Sequence, residues 1–374
     1  MPSKRDSSIA FEASINDILR TALRVWRRTP GFALRAVRLL QQQRKAARRR
    51  TALAESGVHV APFVIYSITG KCNLDCKGCY AKILHKSHRP ELSDERVQRL
   101  LAEARNLGVS IMLLAGGEPL LRERLLQLTA STPEILFLLF TNGSLLDDEK
   151  VDTLHRQKHV VPILSLEGNK DPTDSRRGSG TYDYVLKAMG KLRRARMFFG
   201  TSITLTHENF EHATSEAMIG DLIDRGCRLF FYINYVPVEP GTEQLELSPE
   251  QVSTLRERIE DYRRRLPALF VAFPEEEVKL GGCLAAGRGF IHINAYGDVE
   301  PCPFSAYSDS NLTEMPLEQA LKSPLFAKIL DSGVVLDESD GQCALWKRRH
   351  WVEALLRETE KEDDHQEGKA EEQS

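Results

Sequence analysis

Cys72, Cys76 and Cys79 leave one short stretch of chain, Lys71-Cys72-Asn73-Leu74-Asp75-Cys76-Lys77-Gly78-Cys79-Tyr80. The C-x₃-C-x₂-C spacing lets three thiolates wrap one face of a compact metal cluster. A [4Fe–4S] cube normally takes four cysteines, so three on one loop leave an iron free to bind something that reacts. Zinc is the competing reading, because His85 and His88 follow closely and zinc takes mixed Cys/His sets.

Other residues with chemical potential are spread further along. Ala115-Gly116-Gly117-Glu118-Pro119-Leu120 pairs two glycines, which allow close backbone approach to a ligand, with a carboxylate that can hold an ammonium group. Thr141-Asn142-Gly143 places a polar side chain in a turn. Ser165-Leu166-Glu167-Gly168 sends Ser165 and Glu167 the same way along a strand, and a carboxylate there suits a ribose diol. Arg177-Gly178 offers a partner for a carboxylate. Cys227, Cys283, Cys302 and Cys343 complete the seven cysteines.

Short β-rich runs at residues 63–69, 111–114, 135–140, 160–166, 201–206 and 229–236 must position these groups. Helix-like stretches at 93–107, 147–157, 182–194 and 213–225 separate most of them. Six such units imply parallel strands joined by right-handed crossovers, and continuous apolar runs fit strands buried on both faces. In such folds chemistry gathers at the C-terminal strand ends. The first cysteine loop and the three motifs all follow strands.

The 374 residues, 41% hydrophobic and 28% charged, are ordinary for a globular chain. No apolar run has membrane-helix length, and no h-region with a cleavage site opens the sequence. Seven cysteines then point to ligation or reduced thiols in a cytoplasmic protein. The net charge of −2 conceals an asymmetry: residues 1–50 hold thirteen Lys/Arg against three acids, and residues 357–374 hold eight acids against three bases. Residues 1–58 read as a basic helical extension. One stripe runs through Ile15, Ile18, Leu19, Ala22, Leu23 and Trp26, and a second follows Pro30-Gly31. They either pack on the main domain or contact an acidic partner or a membrane surface. The remaining expected division is a core over 59–240, a linker with a helix at 249–266 over 241–279, a compact unit over 280–356, and a disordered acidic tail over 357–374.

The cysteine loop, GGEP, TNG, SLEG with its following RG, and Asn234-Tyr235-Val236-Pro237 together resemble the radical S-adenosylmethionine superfamily over roughly residues 60–240. The resemblance implies an α/β fold, a partial (β/α)₆ TIM-like barrel. It also implies a [4Fe–4S] cluster on Cys72, Cys76 and Cys79 whose open iron binds S-adenosylmethionine. Reductive cleavage would give a 5′-deoxyadenosyl radical that abstracts a substrate hydrogen, with an electron donor such as flavodoxin or ferredoxin. By motif match, Gly116, Gly117, Glu118 and Pro119 hold the methionine moiety, with Glu118 near its ammonium, and Asn142 shares that rim. Ser165 and Glu167 face methionine and ribose, Arg177 pairs with a carboxylate, and Asn234 and Tyr235 lie by the adenosyl group. Two positions depart from the pattern: Gly78, where many members carry an aromatic residue or His, and Glu167, where many carry Asp.

Residues 290–293 and the stretch Tyr296-Gly297-Asp298-Val299-Glu300-Pro301-Cys302 read as a β-hairpin that brings Cys283 and Cys302 to adjacent ends, with Cys343 able to return beside them. This is similar to the SPASM/twitch extension of the same superfamily, a small hairpin-and-helix domain that binds auxiliary iron–sulfur clusters. A full extension has a further dense cysteine run, and here there is only Cys343. The resemblance therefore implies a single auxiliary cluster on Cys283, Cys302 and Cys343 with a non-cysteine or substrate fourth ligand, Cys227 being a lesser candidate. The expected function is a radical enzyme acting on a peptide, a small metabolite or a lipid-like molecule. The alternatives are a non-catalytic iron–sulfur electron carrier and a zinc-binding interaction protein.

Overall fold

The computed structural model describes residues 32–371, with side-chain environments over residues 38–362. The first basic stripe, through Trp26, lies outside the described residues.

Nine strands form one sheet. In chain order they are β1 (Phe63–Thr69), β2 (Ile111–Gly116), β3 (Leu136–Thr141), β4 (Val160–Leu166), β5 (Gly200–Leu205), β6 (Leu229–Asn234), β7 (Leu269–Phe273), β8 (Phe290–Ile293) and β9 (Val299–Glu300). The spatial order is β7-β6-β5-β4-β3-β2-β1-β8-β9. Every pairing is parallel except β8 with β9. The expected α/β partial barrel is present. Its strands are almost wholly buried, as for parallel strands covered by helices on one face and closed around a core on the other.

Two additions extend the six-unit reading. Residues expected to form a linker supply β7, which pairs with β6 from Leu229↔Leu269 to Ile233↔Phe273. The C-terminal hairpin is part of the same sheet: Phe63 pairs with Phe290 and Tyr66 with Ile293. Four- and five-residue strands such as β8 and β7 carry little periodicity of their own; pairing on an existing edge stabilises them.

Local signals set the helix boundaries. Ser93, Asp147 and Ser215 each cap a helix by accepting from the backbone N–H three residues on. Ser248 and Gln251 form a capping box. Gly108, with φ 95°, ends the helix Asp94–Leu107.

The helix Phe32–Glu55 packs on Asp94–Leu107. Gln43 Nε2 donates to Ser110 O at 3.2 Å, Arg49 Nη1 donates to Arg105 O at 2.7 Å, and Arg50 donates to Gly108 O. Part of the basic run is therefore spent on the carbonyls at a helix C-terminus, where cations are favoured.

The tail expected to be disordered continues instead as the helix Arg349–Glu371. Buried Val352 and Thr359 anchor it, the Arg357–Glu353 pair supports it at i,i+4, and Lys328 meets Glu362 at 2.9 Å. Charged, Glu- and Lys-rich sequence is compatible with helix once one end is docked. No helix among the described residues is long and apolar enough to cross a membrane.

Candidate active site

A cavity of about 1000 Å³ opens at the C-terminal ends of the strands. Six cysteines line it: Cys72, Cys76, Cys79, Cys283, Cys302 and Cys343. None forms a disulfide.

The first cysteine loop is held by the backbone after β2, a side chain after β3 and the helix Lys170–Arg177 after β4. Gly117 N donates to Thr69 O at 2.8 Å and Glu118 N to Lys71 O at 2.8 Å. A Cβ on Gly117 would lie 2.0 Å from Lys71 O, and one on Gly116 would lie 2.3 Å from Thr69 O. Only glycine lets these two backbones touch. Asn142 Nδ2 donates to Asn73 Oδ1 at 2.9 Å, and Lys77 N donates to Arg176 O at 2.9 Å. Cys72 is exposed, while Cys76 and Cys79 are half-buried. Burial pushes the Cys72 and Cys76 thiols up, and Arg177 and Arg176 pull Cys76 partly back.

These three thiols do not converge as a single zinc ion requires. Zn–S bonds of about 2.3 Å in a tetrahedron bring sulfurs to within about 4 Å of one another. Among the described residues, the sets whose ligand atoms all lie within 4.8 Å are His85–His292–Glu300 and Glu277–Cys283–Glu338, and the loop is in neither. His85 is committed elsewhere: Nε2 bonds Pro303 O at 2.8 Å and Nδ1 lies 3.5 Å from Glu300. His88 is exposed and off the cavity wall.

The rim residues divide. Gly116, Gly117, Asn142, Ser165, Asn234 and Tyr235 line the cavity. Glu118 lines it too, but its carboxylate already accepts from Thr141 Oγ1 at 2.7 Å, Asn142 N at 2.7 Å and Leu120 N at 3.1 Å. Burial holds its pKa above the ordinary value despite those donors. Its clearest role is to brace β2 against β3. Pro119 is buried as the first residue of the turn Pro119–Leu121 and stays off the wall.

Glu167 and Arg177 differ most from their expected roles. Glu167 is buried and absent from the wall, and its Oε1 accepts from Arg177 Nε at 2.7 Å and Arg176 Nη1 at 2.5 Å. The two residues assigned to ligand groups neutralise one another. Arg176, which sequence reasoning missed, reaches the cavity beside Arg177 and also donates to Thr204 at 3.1 Å.

Gly78 has its explanation in β6. Its φ is 61°, and a Cβ there would lie 2.6 Å from the Tyr235 hydroxyl. The Tyr235 ring fills the space beside Gly78, and its hydroxyl donates to Thr242 Oγ1 at 3.0 Å.

The second cysteine set is assembled from distant segments. Cys283 and Cys302 are buried and Cys343 is half-buried. Cys283 N donates to Leu336 O at 3.0 Å, and Cys302 and Cys343 line the same cavity. Two unpredicted carboxyls, Glu277 and Glu338, stand within 4.8 Å of the Cys283 sulfur and of each other. In the sequence Glu277 falls in the expected linker over 241–279 and Glu338 in the expected compact unit over 280–356. Cys227 is no part of this group: it packs in the barrel wall against Thr201 and Leu229 O, and burial pushes it up to about 11.

A buried tie joins the two cysteine regions. His292 Nδ1 bonds Glu300 Oε2 at 2.6 Å and His292 Nε2 bonds Ser67 Oγ at 2.8 Å, while His85 links the helix after Cys79 to Pro303. Nothing in the local spacing of His85, His292 and Glu300 signals that they meet.

The model of the radical SAM superfamily matches residues 66–216. An AdoMet-dependent heme synthase of Methanosarcina barkeri is 24% identical over 311 residues, 75% of this chain and 87% of that protein. A PqqA peptide cyclase of Streptomyces rochei is 25% identical over 298 residues, 73% of this chain and 76% of its own. Among solved structures, Streptococcus suis SuiB bound to S-adenosylmethionine shares the fold, with a TM-score of 0.62 and 21% identity over 76% of this chain and 72% of that one.

Proposed function

The chain is a radical SAM superfamily enzyme, and we propose that it abstracts hydrogen from a haem-type tetrapyrrole precursor held between two iron–sulfur sites. The family uses a [4Fe–4S] cluster with S-adenosylmethionine; when bound, they supply a 5′-deoxyadenosyl radical. The observation that carries the reading is that both cysteine sets face one cavity of about 1000 Å³. That volume lies at the upper end for ligand pockets, so it has room for more than one bound group.

In this reading Cys72, Cys76 and Cys79 hold the first cluster. Gly116 and Gly117 allow the backbone of the β2 rim to approach S-adenosylmethionine, and Asn142, Ser165, Asn234 and Tyr235 contribute polar contacts. Arg176 and Arg177 keep positive charge beside them, tempered by Glu167. Cys283, Cys302 and Cys343 hold the auxiliary cluster; two buried thiols and one half-buried thiol at one cavity wall fit such a group. A primary-carbon radical attacks almost any C–H bond, so the protein must position the substrate and exclude water. The hairpin of β8 and β9, fused to the sheet beside β1, closes that side.

Phe63, Phe140, Phe231, Phe273, Phe290 and Phe304 give the wall apolar area, and Lys71 and Lys86 stand on its exposed margin. This combination suits a flat apolar ligand that carries carboxylates. It agrees with the match across most of the heme synthase. An electron donor of the flavodoxin or ferredoxin kind would approach where Cys72 is exposed.

Anaerobic reconstitution followed by incubation with S-adenosylmethionine, dithionite and iron-coproporphyrin III tests the substrate class. The expected results are a shifted Soret band on mixing and faster 5′-deoxyadenosine release. No optical change and no stimulation would overturn the tetrapyrrole assignment, as would a peptide that alone stimulates release. Zinc without sulfide would overturn the cluster assignment.

A further inference from the structure

Resting on the reading of Cys283, Cys302 and Cys343 as holders of an auxiliary cluster, we propose that Glu338 is the fourth ligand of that cluster, bound through Oε2. Three thiols leave one iron unassigned, and the sequence holds no further cysteine near them, Cys227 being committed to the barrel wall. A carboxylate oxygen is a competent iron ligand when it is ionised, close and free of other bonds.

Glu338 meets the last two of these conditions by geometry. It is 2% exposed, and no donor among the described residues reaches its Oε2. A ligand atom of Glu338, the Cys283 sulfur and a ligand atom of Glu277 all lie within 4.8 Å of one another. A buried carboxylate oxygen without a donor is costly, and it calls for a positive group. Within 4.8 Å of a Glu338 ligand atom stand the Cys283 sulfur and the Glu277 carboxyl, and neither carries positive charge.

The surrounding chain aims Glu338 at the thiols. Its Oε1 accepts from Ala344 N at 3.0 Å, the residue after Cys343. Its carbonyl accepts from Gly341 N at 2.9 Å, and Leu336 O accepts from Cys283 N at 3.0 Å. One loop thus fixes Glu338 relative to two of the three cysteines. Glu277 is the weaker candidate, because its Oε1 accepts from Leu284 N at 2.8 Å and Glu338 is the one whose second oxygen is buried without a partner. The second cluster would then be complete within the chain. Substrate would be held by cavity side chains, and no bond to this cluster would be needed.

The test uses the full chain with Cys72, Cys76 and Cys79 replaced by Ala, so that only the auxiliary site can load. About four irons with matching sulfide are expected after reconstitution. Absence of iron would overturn the auxiliary cluster and the ligand assignment together. With iron present, the dithionite-reduced EPR spectrum is expected to ignore added cyanide, because no iron is open. Glu338→Ala in that background should make the spectrum respond to cyanide or lose iron on desalting. Glu338→Cys should restore the full iron content with altered g-values, which a merely structural side chain would not do. A parent spectrum that shifts with cyanide as fully as the Glu338→Ala spectrum would overturn the ligation while leaving the cluster intact. So would identical spectra for the parent, Ala and Cys forms.

Discussion

The two cysteine sites share a cavity but are built in opposite ways. Cys72, Cys76 and Cys79 come from one loop, partly exposed and held by bonds from the segments after neighbouring strands. Cys283, Cys302 and Cys343 come from three segments, mostly buried, and Glu277 and Glu338 stand beside Cys283, each shortly before one of those cysteines in the chain. The first design leaves thiols accessible and one face open, which suits a site where chemistry starts. The second encloses its thiols in the core, which suits a site whose ligands and potential must stay fixed. Burial costs the second site more when it is empty, since carboxyls and thiols then lack a counter-charge.

The strongest test of this contrast is Cys76→Ala. It should reduce 5′-deoxyadenosine formation to background while the auxiliary iron remains, as read by product chromatography alongside iron analysis. Cleavage at the wild-type rate would mean that the loop does not hold the catalytic cluster. Replacing Cys283 and Cys302 together with Ala should lower iron by about four atoms per chain and lower the melting temperature, because both residues are buried. Unchanged iron would make them structural thiols and erase the comparison.

Smaller effects probe the supports. Glu167→Gln removes the charge that Arg176 and Arg177 share in a buried site; it should cost about 3 kcal/mol of stability and weaken S-adenosylmethionine binding more than auxiliary-cluster loading. Urea denaturation and equilibrium dialysis measure the two. Equal losses at both sites would show that this triad braces the whole barrel and not the first site.

Asp298 sits in the hairpin turn and pairs with Arg89, beyond the first cysteine loop. Burial pushes its carboxyl up, but Arg89, Asn294 and Asn311 outweigh this and hold it below the ordinary range. A depressed carboxylate stabilises the fold above its unfolded pKa, and that contribution disappears as pH falls through the folded value. Asp298→Asn should cost about 1 kcal/mol near neutrality and nothing in strong acid. A constant difference across pH would show that the pair does not link the two regions electrostatically.

Legibility followed the same division. The first loop, GGEP and the strand-four motif were readable because their spacing is local and each follows a β-rich run. Six strands were readable from continuous apolar stretches; β7 escaped because five residues inside polar surroundings carry no period. The Cys283–Cys302 hairpin was readable from its turn, yet its attachment to β1 was not, since pairing with a strand more than two hundred residues earlier leaves no mark on local pattern. Glu167 and Arg177 were both identified and then assigned to outside partners, because spacing gives direction along a strand but not the neighbour across a loop. The tail's charge suggested disorder, whereas docking of Val352 gave its helix an anchor.

By itself, then, the sequence determined the barrel and placed the Cys72–Cys79 loop, the proposed cluster holder, at the strand ends, because covalent spacing and period survive without a fold. Tertiary structure alone decided that the two cysteine sets face one cavity, that Arg176 joins its rim, and that Glu338 stands beside Cys283. Those are juxtapositions of residues far apart in the chain. They exist only once nine strands close into one sheet and exclude the water that would otherwise solvate each group separately.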